Sequence, residues 1–353
     1  MRKITTLYFL FFTLIAFAQT YSGPESAEFD YANNRWLIAN TTSHQVLARN
    51  NAGVLTVFAT GLVSGPYGIE IVGDTLYCCS GASVKGYSLA TGANVFNLNV
   101  GATFLNGMTH DNSGNLYATD FSAKKIFKIN IATQAFSAVA SSLVQSPNGI
   151  IFDEANNRCV FVNWGSNAPI KAINLTTNAV TTILTTAYTN CDGITRDGVG
   201  NYYISTWGGQ NVVQYDSAFA NAPTVVISGL SNPADIFFNT VNSVLAIPNS
   251  GNNTVTFLDL TLGTTEFGWL KSLSVYPNPA TSEAFVKFDI STPMTISYQI
   301  VNIEGKVITS NSLSEFETNG ILAVDTSKLK TGLYFMTFTA NKNSKTIPFL
   351  VSN

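Results

Sequence analysis

The stretch Pro147-Asn148-Gly149-Ile150-Ile151-Phe152-Asp153 recurs in altered form along most of the chain. Aligned on the residue five before a closing acid or amide, the copies anchor at Glu25, Asn106, Asn148, Asp192 and Ala234, and Gly68 places a further anchor at Tyr67. Successive anchors lie 42, 39, 42, 44 and 42 residues apart. A period of about 40 to 50 residues is the length of one four-stranded propeller blade, so the spacing predicts six blades.

The pattern inside each repeat agrees. The third reads Gly107-Met108-Thr109-His110, a turn at Asp111 to Asn115, then Leu116 to Thr119, Lys125 to Ile129 and Ala135 to Val139. These are short apolar runs that alternate as strands do. Asn and Gly at the turns adopt positive φ at little cost. No segment carries a helical period, and the body reads as all-β. Ring closure would also leave so many strands without sticky edges.

Arg2 and Lys3, the apolar run Ile4 to Phe17 and the small-x-small site Ala16-Phe17-Ala18 form a signal peptide over residues 1–18. That run is shorter than the roughly 20 residues that cross a bilayer, and no later run is longer, so the expectation is an exported chain that does not span the membrane. Hydrophobic residues are 46% and charged residues 11% of the sequence, enough for a large core. Loss of Arg2 and Lys3 takes the formal charge from -3 to -5, which excludes an electrostatic footprint for nucleic acid. Cys78, Cys79, Cys159 and Cys191 permit three pairings or none. The adjacent Cys78 and Cys79 should face opposite sides of a strand, and His44 and His110 lie far from any zinc-like spacing.

Each inner strand begins at its anchor, so the six anchors should ring one mouth of the central channel. Glu25, Asn106, Asn148 and Asp192 offer hard oxygens from four blades, a donor set that suits calcium. Asn and Asp also start strands because they tolerate turns, but Glu25 falls in the same register and is a poor turn former. Residues 14 to 16 positions after the anchors should rim the same mouth, among them Asp120, Trp164, Trp207 and Asn249. Tyr67, Asp120, Trp164 and Trp207 are therefore candidate ligand-binding residues, with packing between blades the other reading of the two indoles. His110 reads as a hydrogen-bonded core residue and His44 as a loop residue.

Pro147-Asn148-Gly149 before an apolar strand, Asp192-Gly193-Ile194-Thr195 leading to Gly200-Asn201-Tyr202-Tyr203, and an N-terminal Glu25 resemble the senescence-marker-protein/gluconolactonase family and its strictosidine-synthase-like relatives. The resemblance covers about residues 20 to 265, and looser NHL-type propellers are compatible with it. It implies a six-bladed propeller with a divalent metal at the channel mouth, held by Glu25, Asn148 and Asp192 with Asn106 as fourth. Two motifs depart from the family: Leu105-Asn106-Gly107 stands where Asn-Asp-Gly is usual, and Pro24-Glu25-Ser26 where Glu-Gly-Pro is usual. The implied chemistry is lactone or ester hydrolysis, with Asp192 as the catalytic proton acceptor. The alternative is a non-catalytic propeller that binds a glycan, peptide or surface partner.

From about Leu273 the register changes. Tyr276-Pro277-Asn278-Pro279-Ala280, Asn302-Ile303-Glu304-Gly305-Lys306 and Thr331-Gly332-Leu333-Tyr334, in that order among alternating strands, argue a small Ig-like β-sandwich. They resemble the C-terminal sorting domain of type IX secretion cargo. This implies a secreted or cell-surface protein whose partner is the type IX machinery. Pro348 interrupts what should be the last strand. The expected division is 1–18 signal peptide, 19–268 propeller and 269–353 sorting domain.

Overall fold

The computed structural model describes residues 19–260, 270–290, 294–303, 305–316, 319–340 and 343–352, and the expected signal peptide lies outside them. The chain divides into two compact units, Met1–Thr261 and Leu262–Asn353.

The first unit is built from six antiparallel meanders. Their inner strands are Pro24–Asp30, Ile69–Val72, Leu105–His110, Pro147–Asp153, Cys191–Arg196 and Phe237–Asn239. Each inner strand touches the next, and the last touches the first, which closes a six-bladed propeller. Five blades have four strands; the sixth has three among the described residues.

Strand alternation explains what holds the ring together. A blade is apolar on both faces, so each interface between blades carries its own cluster. Leu37 and Leu76 sit between blades one and two, Leu105 and Leu116 between two and three, and Phe161 with Tyr117 between three and four. Tyr202 and Val160 fill the next gap, Leu245 and Val212 the one after, and Trp36, Phe29 and Ala246 close the sixth against the first. Each fully buried side chain of this size contributes about 1.5 to 3 kcal/mol. Cys78 and Cys79 face opposite neighbours, as period two requires: Cys78 packs toward blade one and Cys79 toward blade three. All four cysteines are buried free thiols, and burial pushes their pKa values up, which leaves them unreactive.

The second unit is a two-sheet sandwich. One sheet holds Leu270–Tyr276, Glu283–Ile290 and Asn319–Asp325; the other orders Val307–Phe316, Met294–Asn302, Gly332–Ala340 and Asn343–Val351 side by side. Alternate residues of Glu283–Ile290 point inward, and Val286 and Phe288 meet Ile300, Met336 and Phe338 of the opposite sheet. Pro348 does not break the last strand. It pairs opposite Phe335 on an edge, where a missing N–H costs no ladder bond.

Candidate functional site

The Asn-Gly and Asp-Gly steps that mark the repeat do a different job from the one their turn chemistry suggests. None of Gly68, Gly107, Gly149 and Gly193 has a positive φ. Instead, inner strands of successive blades approach so closely there that a side chain has no room. A Cβ on Gly68 would lie 2.3 Å from the Asn106 carbonyl oxygen, on Gly107 2.5 Å from that of Asn148, and on Gly149 2.6 Å from that of Asp192. The Gly68 N–H donates to the Asn106 carbonyl (2.7 Å), and Thr119 Oγ1 donates to that of Asn148 (2.8 Å). With their carbonyls held between blades, the anchors keep their side chains free for the mouth.

Blades six and one lack the glycine. Asp235 and Ser26 occupy its place and bond each other, Ser26 Oγ to Asp235 Oδ2, at 2.8 Å. The Asp235 N–H donates to the Glu25 carbonyl at 2.8 Å. Asp235 thus adds a third carboxylate beside Glu25 and Asp192, one residue past Ala234, which itself offers only a buried methyl group.

Among the described residues, no Lys, Arg or His forms an ion pair with these carboxylates. Burial first, and then Asp235, raises Glu25 to about 8. Asp192 is pushed well up by burial, then by Glu25 and Asp235; Asn148 and Trp207 oppose the rise. Even so, Asp192 Oδ1 and Trp207 Nε1 are buried with no hydrogen-bond partner. Asp192 and Asn148 are each 2% exposed and Asn106 6%. Among the described residues, no three Asp, Glu, His or Cys side chains gather closely enough to hold a metal ion by themselves. Any cation here would draw on the amides of Asn148 and Asn106 as well.

Above this ring runs an arc of half-buried aromatic rings, each edge-on to the next. Tyr67 meets Phe104 at 4.6 Å, Phe104 meets Phe121 at 5.7 Å, Phe121 meets Trp164 at 5.9 Å and Trp164 meets Trp207 at 5.1 Å. Phe104 and Phe121 escaped the sequence reading because they precede and follow the repeat's register. Asp120 requires a correction. It is fully buried, and its carboxylate accepts from the N–H groups of Thr103 (2.7 Å), Phe104 (3.1 Å) and Ala123 (2.9 Å). It holds the loop that carries Phe104 and does not face a ligand. Asn249 is likewise committed, donating to the Ile247 carbonyl (3.2 Å) and to Thr256 Oγ1 (3.0 Å).

The other end of the channel holds a group that the sequence reading missed. A cavity of about 410 Å³ is walled by Ile69, Met108, Ile150, Ile194 and Ile236 and contains Glu28, Glu70 and His110. His110 is no core residue: its Nδ1 lies 2.5 Å from Glu70 Oε1, and that contact raises its pKa. Burial, then the charge of Glu70 and a hydrogen bond with it, keeps the Glu28 carboxyl protonated far above its usual range. Both glutamates sit three residues after their anchors, where the other repeats carry Thr109, Ile151, Thr195 and Phe237. Comparing that column across repeats would have exposed them. His44 lies in a turn, with Nδ1 3.0 Å from the Gly65 carbonyl.

Residues 274–352 match the family described as the secretion system C-terminal sorting domain. The protein is therefore type IX secretion cargo, released or kept at the cell surface. No helix among the described residues is long and apolar enough to cross a membrane. The propeller is similar to regucalcin, a calcium-binding protein from Agrobacterium tumefaciens, with 16% identity, 68% of this chain and 90% of that chain covered, and a TM-score of 0.57. It is also similar to a gluconolactonase from Xanthomonas campestris, with 14% identity, 66% and 84% covered, and a TM-score of 0.56. A chain of a nidogen/laminin complex shares the fold at 17% identity, 58% and 78% covered, and a TM-score of 0.50. At such identities the likeness defines the fold class alone. No curated protein matches the sequence.

Proposed function

We propose that the anchor mouth binds one divalent cation, calcium by the hardness of its donors, and opens a lactone or ester. The observation that carries this reading is the unpaired Asp192 Oδ1, buried beside Glu25 and Asp235 with no cation to balance them. Buried charges are ordinarily paired or coordinate metals. Glu25, Asn148, Asp192 and Asn106 would hold the ion, a donor set of carboxylate and amide oxygens that fits calcium. When bound, such an ion supplies Lewis-acid stabilisation of a developing oxyanion.

The chain's own groups do the rest. Asp192 takes the proton of the attacking water. Trp207 lies beside Asp192, where its indole N–H opposes the rise in the carboxyl pKa and helps position that group. Tyr67, Trp164 and Trp207, joined by Phe104 and Phe121, hold the apolar face of the substrate and keep bulk water out. Resemblance to a gluconolactonase and a calcium-binding propeller supports the reading. The test is hydrolysis of a lactone and ester panel by the mature chain, with and without chelator. Turnover should vanish with chelator and in Asp192→Asn; chelator-resistant turnover would remove the metal from the account.

A second reading draws on the depth of the ring. Asn148 and Asp192 are 2% exposed beneath the aromatic arc, which suits a propeller that binds a ligand on the arc without transforming it. A panel with no turnover, combined with saturable quenching of Trp164 and Trp207 by an aromatic ligand, would favour it.

A further inference from the structure

The cavity toward the far end of the channel reaches up to Asp235 of the anchor mouth, and below that residue it has a chemistry of its own. Its volume, about 410 Å³, is more than ten times the roughly 30 Å³ that one water occupies, and lies in the range of small-molecule sites. Most of its wall is aliphatic, with Phe29 and Phe237 adding aromatic surface. A small hydrated ion would leave that wall unfilled.

The polar groups inside are strongly biased. Glu28, Glu70 and Asp235 bring carboxyl oxygens. Thr109 and Thr195 face inward too, but their oxygens already accept the N–H groups of Phe152 (3.2 Å) and Phe238 (3.1 Å). The nearby Arg196, which is not part of the cavity wall, pairs with Asp153 through Nη1 at 3.0 Å. His110 is the one cationic side chain on the cavity wall, and it serves Glu70. Burial, and then the charge of the neighbouring Glu70 and a hydrogen bond with it, leave the Glu28 carboxyl holding its proton. Anions meet repulsion here, and neutral molecules meet a carboxyl group that already has a partner.

We propose that this cavity binds a small organic ammonium ion with an apolar body, its –NH3+ group pairing with the carboxyl groups of Glu28 and Glu70 that line the cavity. The exchange balances: the Glu28 carboxylic acid loses H+ to solvent, and its carboxylate pairs with the incoming ammonium. The aliphatic wall covers the body of the ligand. A primary amine with about six carbons suits the volume.

The experiment is calorimetric titration of the mature full-length chain with n-hexylammonium chloride, in two buffers of different ionisation enthalpy at one pH, against n-hexanol and hexanoate. The expected result is saturable one-to-one binding with release of protons, and at least tenfold weaker binding of both controls. Glu28→Gln, which keeps the shape of a side chain already uncharged, should abolish proton release and weaken the amine at least tenfold. Ile194→Phe, which fills the cavity from its apolar side, should abolish binding without touching a carboxyl group. Absence of saturable binding, equal binding of hexanol, no proton release, or full affinity in both variants would overturn the proposal.

Discussion

At the anchor mouth, Glu25 and Asp192 lie near one another with Asp235 as a third carboxylate and no cation among the described residues to balance them, and Asp192 keeps an oxygen unpaired. At the opposite end of the same inner strands, Asp153 is as deeply buried but fully served. It accepts from Arg158 Nε (2.8 Å), Arg196 Nη1 (3.0 Å), Tyr202 OH (2.9 Å) and Asn156 Nδ2 (2.8 Å). Burial opposes its ionisation, yet these bonds outweigh burial and hold its pKa below the usual value. The contrast separates two uses of a buried carboxylate. One that is satisfied by its own blades stitches them together; one left in want of charge is a place for something to bind.

The largest expected effect comes from removing the satisfied group. Asp153→Ala strands two arginines that are 25% and 21% exposed, and should cost about 3 kcal/mol, near the lower end for breaking a buried pair. Chemical denaturation of the variant measures this; a loss below about 1 kcal/mol would equate the two ends. Next is Gly149→Ala, which drives a methyl group to within 2.6 Å of the Asp192 carbonyl oxygen and 2.9 Å of Gly193 Cα. Overpacking of this kind costs about 2 to 3 kcal/mol, and because the clash lies in backbone beside Asp192, it should also disturb the mouth. Unchanged stability would mean that the glycine ring is dispensable.

The smallest effect is one of sign. Asp153 has a depressed folded pKa, so its contribution is present above the unfolded value and is lost as pH falls. Glu28 is raised, so the folded state holds a proton that the unfolded chain gives up; stability is therefore lost as pH rises above the ordinary carboxylate range. Between pH 5 and 9 the melting temperature should decline, and Glu28→Gln should remove roughly 3 °C of that decline. A slope identical in the variant would show that the Glu28 proton is not retained on folding.

How much of this could be read from the chain follows from which signals repeat. The six blades were legible because Asn106, Asn148 and Asp192 recur with a glycine behind each. The sandwich was legible from the order of its turn motifs. The sequence suggested turn tolerance for the Asn and Asp anchors and no reason for the glycines behind them, whose reason is steric: neighbouring strands come into contact only once the ring closes. Asp235 escaped because it sits one residue out of register, in the glycine's own place. Glu28 and Glu70 escaped because two of six repeats carry an acid in that column, and a single repeat gives no hint that the two meet between neighbouring inner strands. Asp120 was read as a ligand-binding residue, yet its carboxylate accepts from its own loop, because sequence cannot tell a carboxylate aimed outward from one aimed at its own backbone.

The central claim is that the anchor mouth is short of one positive charge, and calcium titration of the chelator-stripped mature chain by calorimetry tests it most directly. The account predicts one ion bound per chain, with at least tenfold weaker binding in both Glu25→Gln and Asp192→Asn. Failure of the native protein to bind any divalent ion, or undiminished binding in both variants, would contradict it.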